Sequence, residues 1–161
     1  MNYYEQNNYN SFATRDISIT NVVIPLHNLT EKLILDQINT HHSNSVDYFW
    51  GFNKMSRLIE SILLRIPLPI FYFDVSNPFS WNSIDGIQRL DTINEFIVNN
   101  NFVLQNMEVL TDINGLYYSQ LPDNYKRILY DTQIITYQIE AQTPRELREF
   151  IFKRIRDMNA N

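Results

Sequence analysis

Between Asn53 and Asp74 the hydrophobic pattern changes period once, and that change constrains the fold more than any other feature of the chain. In NKMSRLIESILLRIP the apolar residues are Met55, Leu58, Ile59, Ile62, Leu63 and Ile66. They recur at i, i+3, i+4, i+7 and i+8, the stripe of an amphipathic helix. Pro67 ends it, because proline has no N–H and its ring clashes with the preceding turn. LPIFYFD follows with hardly a polar break, which predicts a strand buried on both faces. Such a strand needs neighbours in a sheet and cover on either side, so the class is α+β, a mixed sheet with flanking helices.

The rest of the chain fits that frame. Residues 1–14, MNYYEQNNYNSFAT, are polar and aperiodic and read as a loose tail. Residues 15–161 read as one domain, long enough for a core. DISITNVVIPL predicts an edge strand ending at Pro25. NLTEKLILDQINT predicts a short helix with Leu29, Leu33 and Ile34 inward. HHSNSVDYFWGFN reads as a loop, and WNSID as a short strand. A helix from about Ile87 to Asn100 carries Leu90, Ile93 and Ile97 on its core face. FVLQN and INGLYYSQLP read as strands or a hairpin around Asn114-Gly115. PDNYKRILYD predicts a helix, TQIITYQIEA a strand, and TPRELREFIFKRIRDMN a last helix, with Thr143 and Glu146 as a capping box and Pro144 at its first position. The chain stops straight after that helix, as the N-terminal piece of a longer protein would.

Composition excludes several chemistries. The net charge of −5 argues against a chain coated in basic residues for non-specific nucleic-acid binding. No cysteine is present, so disulfides, zinc ribbons and thiol catalysis are excluded, and an intracellular, cytoplasmic setting fits. The N-terminus has no apolar signal segment. The most apolar stretch, LIESILLRIPLPIFYF, is interrupted by Glu60, Arg65 and two prolines, so no membrane partner is expected. With three glycines in all, glycine-rich phosphate cradles are ruled out. His41-His42 is a poor metal pattern, since adjacent side chains diverge, and His27 reads as structural.

Three segments are candidates for chemistry. In Asp85-Gly86-Ile87-Gln88-Arg89, Asp85 suits an N-cap and Gln88 falls where a capping box wants it. Capping leaves Gly86 unexplained, because glycine is a poor residue in a first helical turn. It also leaves Arg89, a cation at the positive end of a helix dipole. An anion would account for both, with the backbone at Gly86 open to it and Arg89 paired with it. On these residues alone, cap and anion pocket stand as alternatives. In SRLIES, Arg57 and Glu60 read most simply as an exposed i, i+3 pair. In REFIFKRIR, Arg148, Lys153, Arg154 and Arg156 could meet phosphates, but Glu146, Glu149 and Asp157 dilute them, and a solvated helix end is the plainer reading.

Taken in order, FWGFNKMSRLIESILLRIPLPIFYF, SIDGIQRLDTINEFI and LREFIFKRI resemble the N-terminal domain of the GmrSD-type restriction endonuclease family. The likeness spans roughly residues 45–156 and rests on an Ile-Pro-x-Pro element followed by an Asp-Gly-Gln-Gln-Arg element. It implies a fold similar to ParB and sulfiredoxin, and binding and hydrolysis of an NTP, with Mg2+, within a system that restricts modified foreign DNA in phage defence. DNA and a nuclease domain or subunit would be the partners. By the same resemblance the catalytic residues would be Asp85, for a metal or a water, Gln88, to orient nucleotide or water, and Arg89, on the phosphates. Gly86, Arg57, Glu60 and Arg154 would line the nucleotide site. The chain departs from the pattern at Ile87, where the family has Gln, at SVDYFW, where a Gln-Arg pair is expected, and at Arg156, where it has Asn. A module for DNA recognition or protein interaction, keeping the fold without turnover, is the alternative.

Overall fold

A computed structural model describes residues 12–40 and 49–160 of the chain. The tail expected over 1–14 and the His41-His42 pair therefore lie largely or wholly outside the described residues. The elements run β1 (Ile19–Pro25), α1 (Leu26–Ile34), β2 (Ile38–Asn39), α2 (Phe52–Leu63), β3 (Phe71–Asp74), β4 (Trp81–Asp85), α3 (Ile87–Ile93), α4 (Asp123–Asp131), β5 (Gln133–Ile139) and α5 (Arg145–Asn159). A turn of π-helix, Asn94–Val98, continues α3.

The class is α+β. Among the described residues, five strands form one mixed sheet in the order β1-β5-β3-β4-β2. The apolar run after Pro67 supplies β3 at its centre, parallel to β5 and antiparallel to β4. The side chains of β3 alternate as a pleat requires. Phe71 and Phe73 enter a large core with Leu26 and Leu29 of α1, Ile59 and Ile62 of α2, Leu90 and Ile93 of α3, and Leu129 of α4. Tyr72 points the other way, toward Ile84, Ile139 and α5's Leu147, Ile151 and Ile155. Four helices thus cover one face of the sheet and α5 covers part of the other. Among the described residues no helix is long and apolar enough to cross a membrane.

Some expectations fail for identifiable reasons. Ile34 is 65% exposed, because α1 starts at Leu26 and its last turn rotates off the core. Ile66 is 52% exposed, because α2 stops at Leu63. Its end is a Schellman closure with Arg65 in the left-handed region (φ 59°), the Arg65 N–H donating to the Ile62 carbonyl and the Ile66 N–H to that of Ser61. The capping box at α5 is not made. Pro144 is the N-cap, while Thr143 is buried, accepting the Ser18 N–H at 2.8 Å and donating to the Ser18 carbonyl. The strands or hairpin expected of FVLQN and INGLYYSQLP do not form either. Asn114-Gly115 does turn, with Gly115 at φ 80°, but only two ladder bonds form, between Leu104 and residues 115 and 116. The backbone of 105–110 bonds to side chains on α2 and to Asn114 instead.

Candidate functional site

Asp85 is the last residue of β4, and Gly86 turns the chain into α3 with φ 102°. Only glycine suits this position. The left-handed φ disfavours other residues, and a Cβ here would meet Phe71 Cδ1 at 2.7 Å and Arg89 Nη2 at 3.0 Å. Arg89 is buried against the same ring, its guanidinium carbon 4.2 Å from the Phe71 centroid. It donates to the carbonyls of Pro69 and Ile70, the latter at 3.3 Å, and pairs with Asp85 Oδ2 at 3.2 Å. Burial pulls the Arg89 pKa down and Asp85 pulls it up; an arginine starts so high that the side chain stays a cation. Arg89 therefore fastens the chain entering β3 to the chain leaving β4.

That geometry corrects the capping expectation. No side chain caps α3, because the Asp85 carboxylate turns to a buried cation and the N-cap is Gly86. It also gives Gly86 and Arg89 reasons inside the fold. Asp85 keeps one exit to solvent: its side chain is 30% exposed, and Oδ1 makes no hydrogen bond among the described residues.

The polar stripe of α2 does something the sequence did not suggest. Glu60 is 5% exposed and accepts three backbone N–H bonds, from Val109 (2.8 Å) and Leu110 (2.9 Å) on Oε1 and from Glu108 (3.0 Å) on Oε2. Ser56 Oγ, also buried, accepts the Gln105 N–H at 3.0 Å, and Asn53 Oδ1 accepts the side-chain amides of Gln105 and Asn106. Asn53, Ser56 and Glu60 share one helical face and hold the 105–110 segment. Burial, the largest single influence, raises the Glu60 pKa, but the three N–H groups and nearby Arg57 together hold it below the usual carboxylate value. Arg57 pairs with Glu108 at 3.3 Å, with both side chains mostly exposed, so the expected pair within the helix is replaced by one to the loop.

The candidate residues fall into three places. Asp85, Gly86 and Arg89 touch one another, with Gln88 in the same turn. Arg57 and Glu60 face the 105–110 segment. Arg154 lies on α5, its guanidinium 4.9 Å over the Phe150 ring, on the opposite face of the sheet from α2 and α3. Arg148 leaves the basic patch altogether, donating to the Thr143 carbonyl and facing Asp74 at 4.0 Å. His27 is structural: its Nδ1 lies 3.0 Å from the Tyr130 carbonyl and its ring stacks on Tyr130 at 4.0 Å.

A cavity of about 1170 Å³ opens between the end of α2 and α4. Arg65 and Arg127 line it over Ile66, Leu68 and Ile128, and none of the seven candidates does. Its one legible signal is the stripe Asp123, Asn124, Arg127, Ile128 and Asp131 along α4. Among the described residues no three His, Asp or Glu side chains are grouped to hold a metal. A magnesium ion arriving with a nucleotide needs only one or two carboxylates, and Asp85 is the one that the turn offers. Comparison with family models, with curated proteins and with solved structures finds no match to this chain.

Proposed function

We propose that the chain is a nucleotide-binding domain of a GmrSD-like, ParB/sulfiredoxin-like kind, with the β4–α3 turn as the seat of the phosphates. One observation supports this reading. The two sequence elements that make the resemblance specific, Ile66-Pro67-Leu68-Pro69 and Asp85-Gly86-Ile87-Gln88-Arg89, are bonded to each other through Arg89 and the Pro69 carbonyl, and Phe71 packs on Gly86. Distant parts of one motif set meeting in one strand–turn–helix unit is what a shared site requires.

In this reading the N–H groups of the first α3 turn face the phosphates. The free oxygen of Asp85 meets the magnesium ion or a water, and Gln88 orients the nucleotide or the attacking water. Arg89 acts from beneath, holding Asp85 in place. DNA, a nuclease partner and a role in phage defence follow only from the resemblance.

A second reading, a recognition module without turnover, is favoured by the bonding of Arg89 and Glu60. Both charges are consumed inside the fold, where an active site would present them.

Calorimetry with each NTP, with and without magnesium, tests the first reading. Saturable heat is expected, weakened tenfold or more in Gln88→Ala. The magnesium-dependent part is expected to be lost in Asp85→Asn. No heat with any NTP under either condition overturns it, and salt-dependent binding to modified DNA alone favours the second.

A further inference from the structure

The sheet has two unlike edges. At one, β2 is two residues long and pairs parallel with β4. At the other, β1 runs for seven residues in unbroken antiparallel register with β5, from Ile19 opposite Ile139 to Pro25 opposite Gln133. Natural edge strands are guarded by charges, bulges, internal prolines or covering elements. β1 reads Ile-Thr-Asn-Val-Val-Ile-Pro, with no charge, no bulge and proline only at its end.

Among the described residues, no strand pairs with β1 on the side away from β5. The Ser18 carbonyl accepts the Glu140 N–H, and the Leu26 N–H donates to the Thr132 carbonyl. In an antiparallel ladder successive residues point to opposite sides. Residues 18, 20, 22, 24 and 26 therefore face β5, and residues 19, 21, 23 and 25 face out. The Val22 carbonyl, which accepts Thr136 Oγ1, is on the β5 side as expected. Ile19, Asn21 and Val23 thus present both N–H and C=O outward, and Pro25, without an N–H, closes the row. Their side chains share one face of the sheet, where Ile19 is 42% and Val23 52% exposed, beside Ile135 at 43%.

We propose that β1 pairs with β1 of a second copy of this chain, joining two five-stranded sheets into one across a two-fold axis at Asn21. The strand is its own complement. Antiparallel pairing centred on Asn21 sets Val23 against Ile19 of the second copy, apolar on apolar, and makes about six main-chain hydrogen bonds. With no charge on the strand there is no like-charge repulsion across the axis and nothing to select an oppositely charged partner. The pairing is isologous and so closes at the dimer. The two-residue β2 offers too little edge to carry growth into a filament.

Sedimentation equilibrium of the full chain at rising concentration tests this, with the mass expected to climb toward twice 19.2 kDa. Val23→Lys guards the edge without touching the core, and should stay at the monomer mass with an unchanged circular dichroism spectrum and the melting temperature that the wild type shows when diluted to monomer. Because the chain has no cysteine, Asn21→Cys gives a clean reading of register. It should link to itself with a short bis-maleimide, and Val23→Cys, displaced from the axis, should not. A wild-type chain that remains monomeric up to hundreds of micromolar overturns the proposal. So does a dimer that Val23→Lys leaves intact, or one in which Asn21→Cys fails to link.

Discussion

Glu60→Gln should cost this protein about 3–4 kcal/mol at neutral pH. The substitution keeps the size and removes the charge. In the wild type one carboxylate accepts three backbone N–H groups at 2.8–3.0 Å. Hydrogen bonds to a charged acceptor are worth about 1.5–3 kcal/mol each, against roughly 1 for neutral ones. The amide has a single acceptor oxygen, which can keep Val109 and Leu110, while its NH2 faces the Glu108 N–H and leaves that donor unpaired at about 1–3 kcal/mol. Weakening two bonds and orphaning a third gives the stated sum. The pH dependence follows from the lowered pKa. In the unfolded chain Glu60 titrates near its usual value, 4.5, and in the folded chain below it. Its stabilisation is therefore complete above pH 4.5 and is lost as pH falls through the folded value. Urea denaturation of both proteins from pH 7 downward is the assay, and the gap between them should narrow in acid. A gap under 1 kcal/mol at pH 7, or one that stays constant down to the lowest pH at which both fold, would refute the claim that the Glu60 charge holds this loop.

Two further outcomes are expected from equilibrium unfolding. Gly86→Ala should destabilise by about 2–4 kcal/mol, since the left-handed φ alone costs about 1–2 and the Cβ would press on Phe71 at 2.7 Å; a loss below 1 kcal/mol would mean that the turn relaxes easily. Arg65→Gly should stabilise by about 1 kcal/mol, because Arg65 holds the left-handed position at which helices prefer glycine; a loss of stability would show that the arginine side chain has an anchoring role over the cavity.

Much of the fold was legible where one local signal sufficed. WNSID gives β4 to the residue, and the β-branched run ending at Pro25 gives an edge strand. The helical stripe of α2 gives its buried face, with Met55, Leu58, Ile59, Ile62 and Leu63 all in the core. What failed depended on partners far along the chain. Asp85 and Thr143 are sound caps by local rules, yet one meets Arg89 on the next turn and the other meets Ser18, 125 residues away. The 102–118 segment has strand-like composition, but side chains about 50 residues earlier had already taken its N–H groups. No periodicity reveals that.

The candidate site shows the same limit in a sharper form. Gly86 and Arg89 stood out because local rules could not place them, and they are indeed special. The reason lies in Phe71 and in the carbonyls of Pro69 and Ile70, 15 to 20 residues earlier. A motif can be maintained by such contacts as firmly as by a ligand, so the two causes must be separated residue by residue. Arg89 cannot separate them, since removing it exposes two carbonyls and strands Asp85, and any loss of binding would report on folding. Glu60 fails for the same reason. Asp85→Asn and Gln88→Ala come nearer. The amide oxygen of the first variant can still accept from Arg89, one carboxylate oxygen of Asp85 is left over by the fold, and the Gln88 side chain is only partly buried. A loss of binding therefore counts where the melting temperature of the variant matches that of the wild type. If this turn holds a nucleotide, those two side chains and the backbone between them must carry the recognition, and the buried arginine beneath them sets only the frame.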